Sequence, residues 1–476
     1  MIKSISTISF NSHQMVQPKT FSPFTKTMTL QTLPPQPTSP VAKKYNNKIS
    51  TKKIIMTSVA ILVGAAGMVY GKSLKATPDE LYRRNLASGL SELLGVKIKS
   101  NKLKSVIGKE ELLKILPTLK AENYKATPEN IKNCIFMADL HSHSIFSDGV
   151  GKVEDILSKV AEYADKLHEK NGRKFLFALT DHNEVRGVER ALQIIAENPR
   201  KFKNVQFIPG MEISYALKVT NSNNPFEVAE VLAYGINPFS KNITDFVKNI
   251  HQKRQKMMND FLTDLKALYP DTTFSLEEMS KYYPTDKTCL MNLQWQVHHY
   301  AQTKMGISQL AKTRNMVPEN LYKEIMDKCT SRTKTLHVLK EQNLVPDNIF
   351  ESYEITRLAK EKYSTNISND IINAPTENTF DEMISTFSKE QSAFLAFAHP
   401  AYINKNMNNL DETLSLLREL TEKSKGLIKG TESYHQAYKF HAVSQQDIDK
   451  IKEFTDRLGL LNLGGHDSHA ANWIIQ

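Results

Sequence analysis

Two alternating histidines and a nearby carboxylate form the first group in this sequence that could do chemistry. Residues 139–149 read DLHSHSIFSDG and follow the apolar run 134–138. Alternate residues of a strand point the same way, so His141 and His143 can present ring nitrogens to one point. The glycine after Asp148 permits the turn that brings this carboxylate back. The pattern favours a metal site at the end of a buried strand, although the spacing alone also fits core or surface histidines.

Polar residues recur at the ends of other predicted strands, and this repetition strengthens the metal hypothesis. The further groups are Thr180-Asp181-His182-Asn183, Gly210-Met211-Glu212, Ala398-His399-Pro400 and Gly464-Gly465-His466-Asp467-Ser468-His469. Seven of the 14 histidines fall within a residue or so of a predicted strand end, namely His141, His143, His182, His399, His435, His466 and His469. Core histidines would also be scattered over helices and loops. Because strand ends of an α/β barrel share one rim, we expect a multinuclear metal centre there.

The elements that would position these residues alternate between strand and helix. Hydrophobic patterns predict strands over 174–179, 205–214 and 227–234, with helices over 152–170 and 184–197. The alternation resumes with strands over 393–398, 426–432 and 460–463 and helices over 410–423 and 447–458. Residues 240–390 read as a largely helical insertion that begins with a helix over 243–268. The chain is therefore predicted to be a parallel α/β protein whose barrel is divided into 131–239 and 391–476.

Charge and composition separate the N-terminal region from the rest of the chain. The protein has 476 residues and a formal net charge of +11, yet residues 1–75 contain ten Lys and no Arg, Asp or Glu. The remainder is nearly neutral, which argues against the overall basic surface of a nucleic-acid-binding protein. Residues 1–53 are rich in Ser, Thr, Pro and Lys, so we expect disorder. Residues 72–130 are interpreted as a linker with a small helical region.

An uncharged apolar run covers residues 54–71 and is flanked by lysines. Its length predicts a short transmembrane anchor, and on this interpretation the protein associates with a membrane. A cleaved presequence or a buried segment is the alternative, in which case the protein is soluble. The sequence indicates no protein partner.

At these motifs the chain resembles the polymerase and histidinol phosphatase (PHP) superfamily of metal-dependent phosphoesterases. The four motifs occur in order as His141-x-His143 with Ser147-Asp148-Gly149, Thr180-Asp181-His182, His399-Pro400 and Asp467-x-His469, with Glu212 between the second and third. The resemblance implies a distorted seven-stranded (β/α) barrel that holds two or three divalent ions. Independently, a mixed shell of imidazoles and carboxylates suits Mn, Fe or Zn better than Ca. The ligands that the resemblance implies are His141, His143, Asp148, His182, Glu212, His399, Asp467 and His469.

One strand departs from the family pattern, which commonly places another histidine ligand there. In this chain Glu230 stands near that position. A carboxylate also binds these metals, so we favour Glu230 as a ligand, with a solvated strand residue as the alternative. Asp148 is predicted to have a catalytic role as well. His435, or alternatively His466, would donate a proton or hydrogen bond to the phosphoryl or leaving oxygen, although His435 could equally be a buried strand-end histidine.

The helical insertion resembles the cap of a subgroup that hydrolyses nucleoside 3′,5′-bisphosphates and trims short RNA from its 5′ end. The resemblance implies hydrolysis of phosphate esters through a metal-bridging hydroxide. The expected substrate is therefore a phosphorylated small molecule or a short single-stranded nucleic acid. The insertion lacks the subgroup's Arg-Pro-His signature. Two alternatives remain open: a small-metabolite phosphatase of the histidinol phosphatase type, and a non-catalytic module that binds metal.

Overall fold

The computed structural model describes residues 76–147, 149, 151–218, 226–268, 378–407, 410–439 and 443–469. The predicted disordered segment 1–53, the apolar run 54–71 and most of the helical insertion lie outside these ranges. Within the described ranges, no helix is both long enough and apolar enough to cross a bilayer.

The described elements follow the order that the sequence patterns predicted. The helices are α1 (Pro78–Leu94), α2 (Lys109–Ile115), α3 (Pro128–Lys132), α4 (Val153–Asn171), α5 (Arg186–Glu197), α6 (Lys241–Leu268), α7 (Phe380–Phe387), α8 (Pro400–Met407), α9 (Leu410–Lys423) and α10 (Gln445–Arg457). The strands are β1 (Ala138–Asp139), β2 (Phe175–Leu179), β3 (Val205–Lys218), β4 (Phe226–Tyr234), β5 (Asn378–Thr379), β6 (Phe394–Phe397), β7 (Ile428–Glu432) and β8 (Leu461–Leu463). Most predicted boundaries lie within two residues of these, and α9 has the predicted bounds.

The strands form one mixed sheet, which corrects the expectation of a wholly parallel one. Its order is β1-β2-β3-β4-β6-β7-β8, with β5 beside β3. The pairs among β1–β3 and among β6–β8 are parallel, whereas β4 is antiparallel to both β3 and β6. Parallel neighbours need a crossover of a dozen or more residues, and β3 and β4 are joined by residues 219–225 alone. The short connection therefore reverses the direction of β4.

The sheet is strongly curled. The hydroxyl of Tyr234 on β4 donates a 3.0 Å hydrogen bond to the carbonyl of Leu140, which directly follows β1. In a flat sheet these strands would be three steps of about 4.8 Å apart. A backbone bridge between Ser142 and Ser468 also links the segments that follow β1 and β8. The seven strands on this path thus curl into a half-barrel, and the bridge joins the segments that follow its first and last strands.

Alternation along the strands gives the sheet two apolar faces. Phe175, Phe177 and Phe207 pack against α1, α4 and α5 on the outside of the sheet. Ile208 and Leu232 belong to a separate core that faces inward. The residues that we interpreted as a linker contribute to both cores, since α1 packs on the outer face and Ile107 and Leu112 belong to the inward core.

Strand β1 is shorter than predicted. The apolar run 134–138 was expected to be a strand, but only Ala138 and Asp139 pair with β2. Cys134 has a φ angle of 55° and lies in the turn that ends α3, a conformation incompatible with a strand. Between this turn and β1, the amide of Met137 donates to the carbonyl of Asn123 at 2.8 Å, and the carbonyl of Met137 accepts a 3.0 Å hydrogen bond from the amide of Leu176 on β2.

Candidate metal centre

The segments that carry the first and last sequence motifs are tied together by backbone hydrogen bonds. The amide of His143 donates to the carbonyl of Ser468 at 3.0 Å, and the amide of Asp467 donates to the carbonyl of His141 at 2.9 Å. Asp467 has a φ angle of 52°, in the left-handed region that non-glycine residues rarely adopt. Such strain is retained where the surrounding structure enforces it. These bonds place the Asp467 carboxylate beside both histidines.

A second set of backbone bonds aligns the motif after β2 with β3. The amide of Asn183 donates to the carbonyl of Glu212 at 2.7 Å, and His182 and Glu212 form an isolated bridge. On β4, Glu230 is paired in register with Ser214. Because side chains alternate along a strand, Glu212, Ser214 and Glu230 share the inward face of the sheet, beyond the apolar Ile208 and Leu232. This inward face changes from apolar to polar where the motifs meet.

The first group of donors consists of His141, His143, Glu212 and Asp467. Glu212 Oε2 lies 2.9 Å from His141 Nε2 and 3.2 Å from His143 Nε2. Asp467 Oδ1 lies 3.0 Å from His143 Nε2 and 3.5 Å from His141 Nε2. These four side chains all direct donor atoms to one small volume.

The second group consists of His182, His399, Glu212 and Glu230. His182 Nδ1 lies 3.2 Å from Glu212 Oε2 and 3.4 Å from Glu230 Oε1. His399 Nε2 lies 3.0 Å from Glu212 Oε1 and 3.3 Å from Glu230 Oε2. Glu212 therefore contributes to both groups, in keeping with the bridging place that the family resemblance gives it.

A third group brings together donor atoms of His143, His182 and His469 within 4.8 Å of one another. The rings of His143 and His469 stack with centroids 4.5 Å apart. The predicted ligand and catalytic residue Asp148 lies outside the described residues. The structure therefore brings together all the predicted ligands that it describes.

The two candidate proton donors differ in their placement. His435 is buried, its Nε2 lies 3.5 Å from Asp467 Oδ2, and neither ring nitrogen has a hydrogen-bond partner among the described residues. His466 points elsewhere, because its ring packs edge-on against Phe136 and its Nδ1 lies 3.9 Å from Asp139 Oδ2. The geometry therefore favours His435 over His466 as a group that faces the cluster.

Two buried carboxylates hold residues of the site in position, and the sequence had not indicated either as a site residue. Both oxygens of Glu432, the last residue of β7, lie 3.1 Å from His141 Nδ1. Asp181 accepts hydrogen bonds from the amide and hydroxyl of Ser144 and from the hydroxyl of Ser147, at 2.6, 2.7 and 2.7 Å. The place of Glu432 at the end of a strand could have identified it from the sequence, because Glu212 was identified by its place near the end of a predicted strand.

The buried carboxylates of the cluster stabilise positive charge on the groups around them. Burial alone would raise the pKa of Glu212, but His141 and His182 hold it well below its usual range. Burial and the neighbouring Glu212 instead raise the pKa of Glu230 to about 8. Burial lowers the pKa of His399, yet the hydrogen bond and charge of Glu212 raise it to about 9. Among the described residues, the charged partners of Glu212 and Glu230 are all histidines.

This donor set fits divalent transition metals. Ligand atoms about 2.1 Å from one ion are separated by roughly 3.0 to 3.4 Å in octahedral or tetrahedral geometry. The contacts of Glu212 with its four histidines, from 2.9 to 3.2 Å, are close to this range. Mixed imidazole and carboxylate donors suit Mn, Fe or Zn better than Ca.

Comparisons with known proteins give little further constraint. No family model matches the sequence, and no curated protein matches it. One similar solved structure is a provisionally assigned metal-dependent phosphoesterase of Bifidobacterium adolescentis, with 16% identity, a TM-score of 0.42, and coverage of 70% of this chain and 87% of that chain. Another is an amidohydrolase of Chromobacterium violaceum with bound sulfate and no metal, with 18% identity, a TM-score of 0.40 and the same coverages. TM-scores below 0.5 establish neither a shared fold nor a shared activity.

Proposed function

We propose that this protein is a metal-dependent phosphoesterase that acts on nucleotides or short 5′-phosphorylated oligonucleotides. The observation that carries the proposal is the convergence of His141, His143, His182 and His399 on the single carboxylate Glu212. The resemblance of the motifs to the PHP superfamily supports phosphate esters as the substrate class. Divalent ions held there would activate water and neutralise charge on the phosphate oxygens.

The side chains of the cluster have different roles in the proposed reaction. Glu212 and Asp467 supply negative charge, and the histidines around them would supply nitrogen donors to a bound ion. Glu432 fixes the ring of His141 by contact with Nδ1, so that Nε2 faces Glu212. Neither ring nitrogen of His435 has a hydrogen-bond partner among the described residues, and Nε2 lies 3.5 Å from Asp467 Oδ2. From this position His435 would donate a hydrogen bond or proton to a leaving oxygen.

The test follows phosphate release by the full-length protein loaded with Mn²⁺. The substrates are adenosine 3′,5′-bisphosphate, a short 5′-phosphorylated RNA and a small phosphomonoester such as histidinol phosphate. We expect turnover of a nucleotide substrate that is abolished by chelation and falls at least 100-fold in His182→Ala. The matched control His168→Ala changes an exposed histidine of α4 and should leave turnover unchanged.

Each other outcome assigns a different function. Turnover of histidinol phosphate alone would replace the nucleotide assignment by a metabolite phosphatase. A metal-loaded protein that hydrolyses none of the three substrates would contradict the proposal and favour the non-catalytic module.

A further inference from the structure

Glu212 and Glu230 contact the same two histidines in the same manner. Each carboxylate directs one oxygen to His182 Nδ1 and the other to His399 Nε2. The four distances are 3.2 and 3.0 Å for Glu212 and 3.4 and 3.3 Å for Glu230. Two carboxylates thus span the same pair of imidazoles.

The pairing of β3 with β4 produces this arrangement. Glu230 is opposite Ser214 in the antiparallel ladder, and Glu212 lies two residues from Ser214 on the same face. The hydroxyl of Ser214 donates to Glu230 Oε1 at 3.2 Å and itself accepts a 3.2 Å hydrogen bond from the Asn183 side-chain amide. Glu230 is therefore held in a fixed orientation toward both histidines.

We propose that Glu230 and Glu212 together bridge two metal ions, one held with His182 and the other with His399. This inference rests on the proposed metal centre and assigns Glu230 a role beyond that of a single-ion ligand. All four distances are near the separation of roughly 3.0 to 3.4 Å expected for two ligands of one ion. Each oxygen of each carboxylate can therefore share an ion with one of the two histidines.

At position 230 a carboxylate can bridge two ions, which an imidazole cannot do. The two nitrogens of an imidazole point in divergent directions, so a histidine on this strand would serve one of the two ions. A carboxylate presents two oxygens side by side and serves both. Two bridging carboxylates combined with imidazole donors also resemble the donor sets of di-iron and di-manganese carboxylate proteins. We therefore expect this pair of positions to prefer Mn²⁺ or Fe²⁺ to Zn²⁺.

The test measures metal binding by the full-length protein, independently of activity. The protein is stripped with a chelator and titrated with Mn²⁺. Bound metal per chain is determined by elemental analysis, and coupling between Mn²⁺ ions by electron paramagnetic resonance. Glu230→His supplies one imidazole, Glu230→Gln removes the charge, and Glu230→Asp keeps the charge but shortens the reach. We expect each variant to bind one ion at least tenfold more weakly and to lose part of the coupling.

Two results would overturn the bridge. Wild-type metal content, affinity and coupling in Glu230→His would show that Glu230 serves a single ion, as a histidine would. Unchanged metal binding in Glu230→Gln would show that Glu230 is not a ligand. The control Glu390→Gln alters another buried carboxylate, which accepts hydrogen bonds from Ser240 and Asn242, and should bind metal as wild type does.

A failure of this proposal can be distinguished from a failure of the proposed function. If the protein binds coupled Mn²⁺ ions but hydrolyses no phosphoester, the bridge is supported and the phosphoesterase assignment is contradicted. If the protein turns over nucleotides and Glu230→His binds metal as wild type does, the function is supported and the bridge is contradicted. Thermal unfolding of each metal-free variant checks that it folds. If Glu230→His or Glu230→Gln does not fold, metal binding by Glu230→Asp still tests the bridge.

Discussion

Glu432 places both of its carboxylate oxygens 3.1 Å from Nδ1 of His141, while Nε2 of the same ring lies 2.9 Å from Glu212. The two side chains of this pair are completely buried. A carboxylate behind a metal-binding imidazole fixes the tautomer and orientation of the ring and increases its basicity. Glu432 also accepts a 3.0 Å hydrogen bond from the backbone amide of His399. One carboxylate thus positions residues of two different sequence motifs.

We expect Glu432→Gln to weaken Mn²⁺ binding by about 10- to 100-fold, because an amide still contacts His141 but without the negative charge. Competition with a chelating dye measures the affinity, and thermal unfolding of the stripped protein checks the fold. The control is Glu390→Gln, which makes the same chemical change at a buried carboxylate bonded to Ser240 and Asn242. Equal Mn²⁺ affinity in Glu432→Gln and wild type would exclude the positioning role.

Gly465 packs directly against this pair. A Cβ at this position would meet the Cβ and backbone nitrogen of His141 and, at 2.9 Å, Oε1 of Glu432. Since these neighbours are buried and constrained, we expect Gly465→Ala to cost about 1–3 kcal/mol of folding free energy and to reduce Mn²⁺ affinity at least tenfold. At Gly459, by comparison, the added Cβ has open space but the φ angle is +63°. Gly459→Ala should therefore lower stability through backbone strain without a change in metal affinity.

The sequence predicted most of the element boundaries and the residues that converge, because both depend on local patterns. Hydrophobic periodicity located β2 and α9, and polar residues at strand ends indicated His182 and Asp467. The direction of β4, in contrast, depends on a short connection, and the use of Glu432 and Asp181 depends on contacts between distant segments. The left-handed backbone at Asp467 is likewise not revealed by the sequence.

Asp181 illustrates a site residue whose role is structural. Its three hydrogen bonds to Ser144 and Ser147 hold the loop that follows His143, and Asp181 itself is completely buried. We expect Asp181→Ala to destabilise the stripped protein by about 2–4 kcal/mol, because the buried donors lose their acceptor. Chemical denaturation in the presence of chelator measures this effect without a contribution from metal. A loss below about 0.5 kcal/mol would show that the loop is held by other contacts.

Glu189 on α5 should make stability depend on pH. Burial, followed by the charge of Glu184, raises its pKa to about 7, and Arg186 opposes this shift only in part. Because the native pKa lies above the unfolded value of about 4.3, the native protein binds the proton more tightly, and this carboxyl lowers stability as pH rises from about 4.5 to 7.

Glu189→Gln should therefore be neutral near pH 4.5 and more stable than wild type by about 1–2 kcal/mol above pH 7, after allowance for solvent screening of a partly exposed group. Denaturation of stripped protein between pH 4.5 and 8.5 measures the difference. Glu197→Gln removes a charge from an exposed position of the same helix and should change stability by less than about 0.5 kcal/mol across this range. A constant offset for Glu189→Gln would contradict the predicted titration.

Metal removal should lower thermal stability, because the cluster concentrates buried carboxylates whose charged partners among the described residues are histidines. An ion that binds only the folded protein stabilises it by about 2.7 kcal/mol at a free concentration 100 times its Kd. We therefore expect a chelator to lower Tm by several degrees and Mn²⁺ in excess to restore it. Ca²⁺ should restore little, since imidazole donors suit it poorly. His182→Ala should show a smaller Mn²⁺ response than His168→Ala, and equal responses to Ca²⁺ and Mn²⁺ would indicate nonspecific ion binding instead.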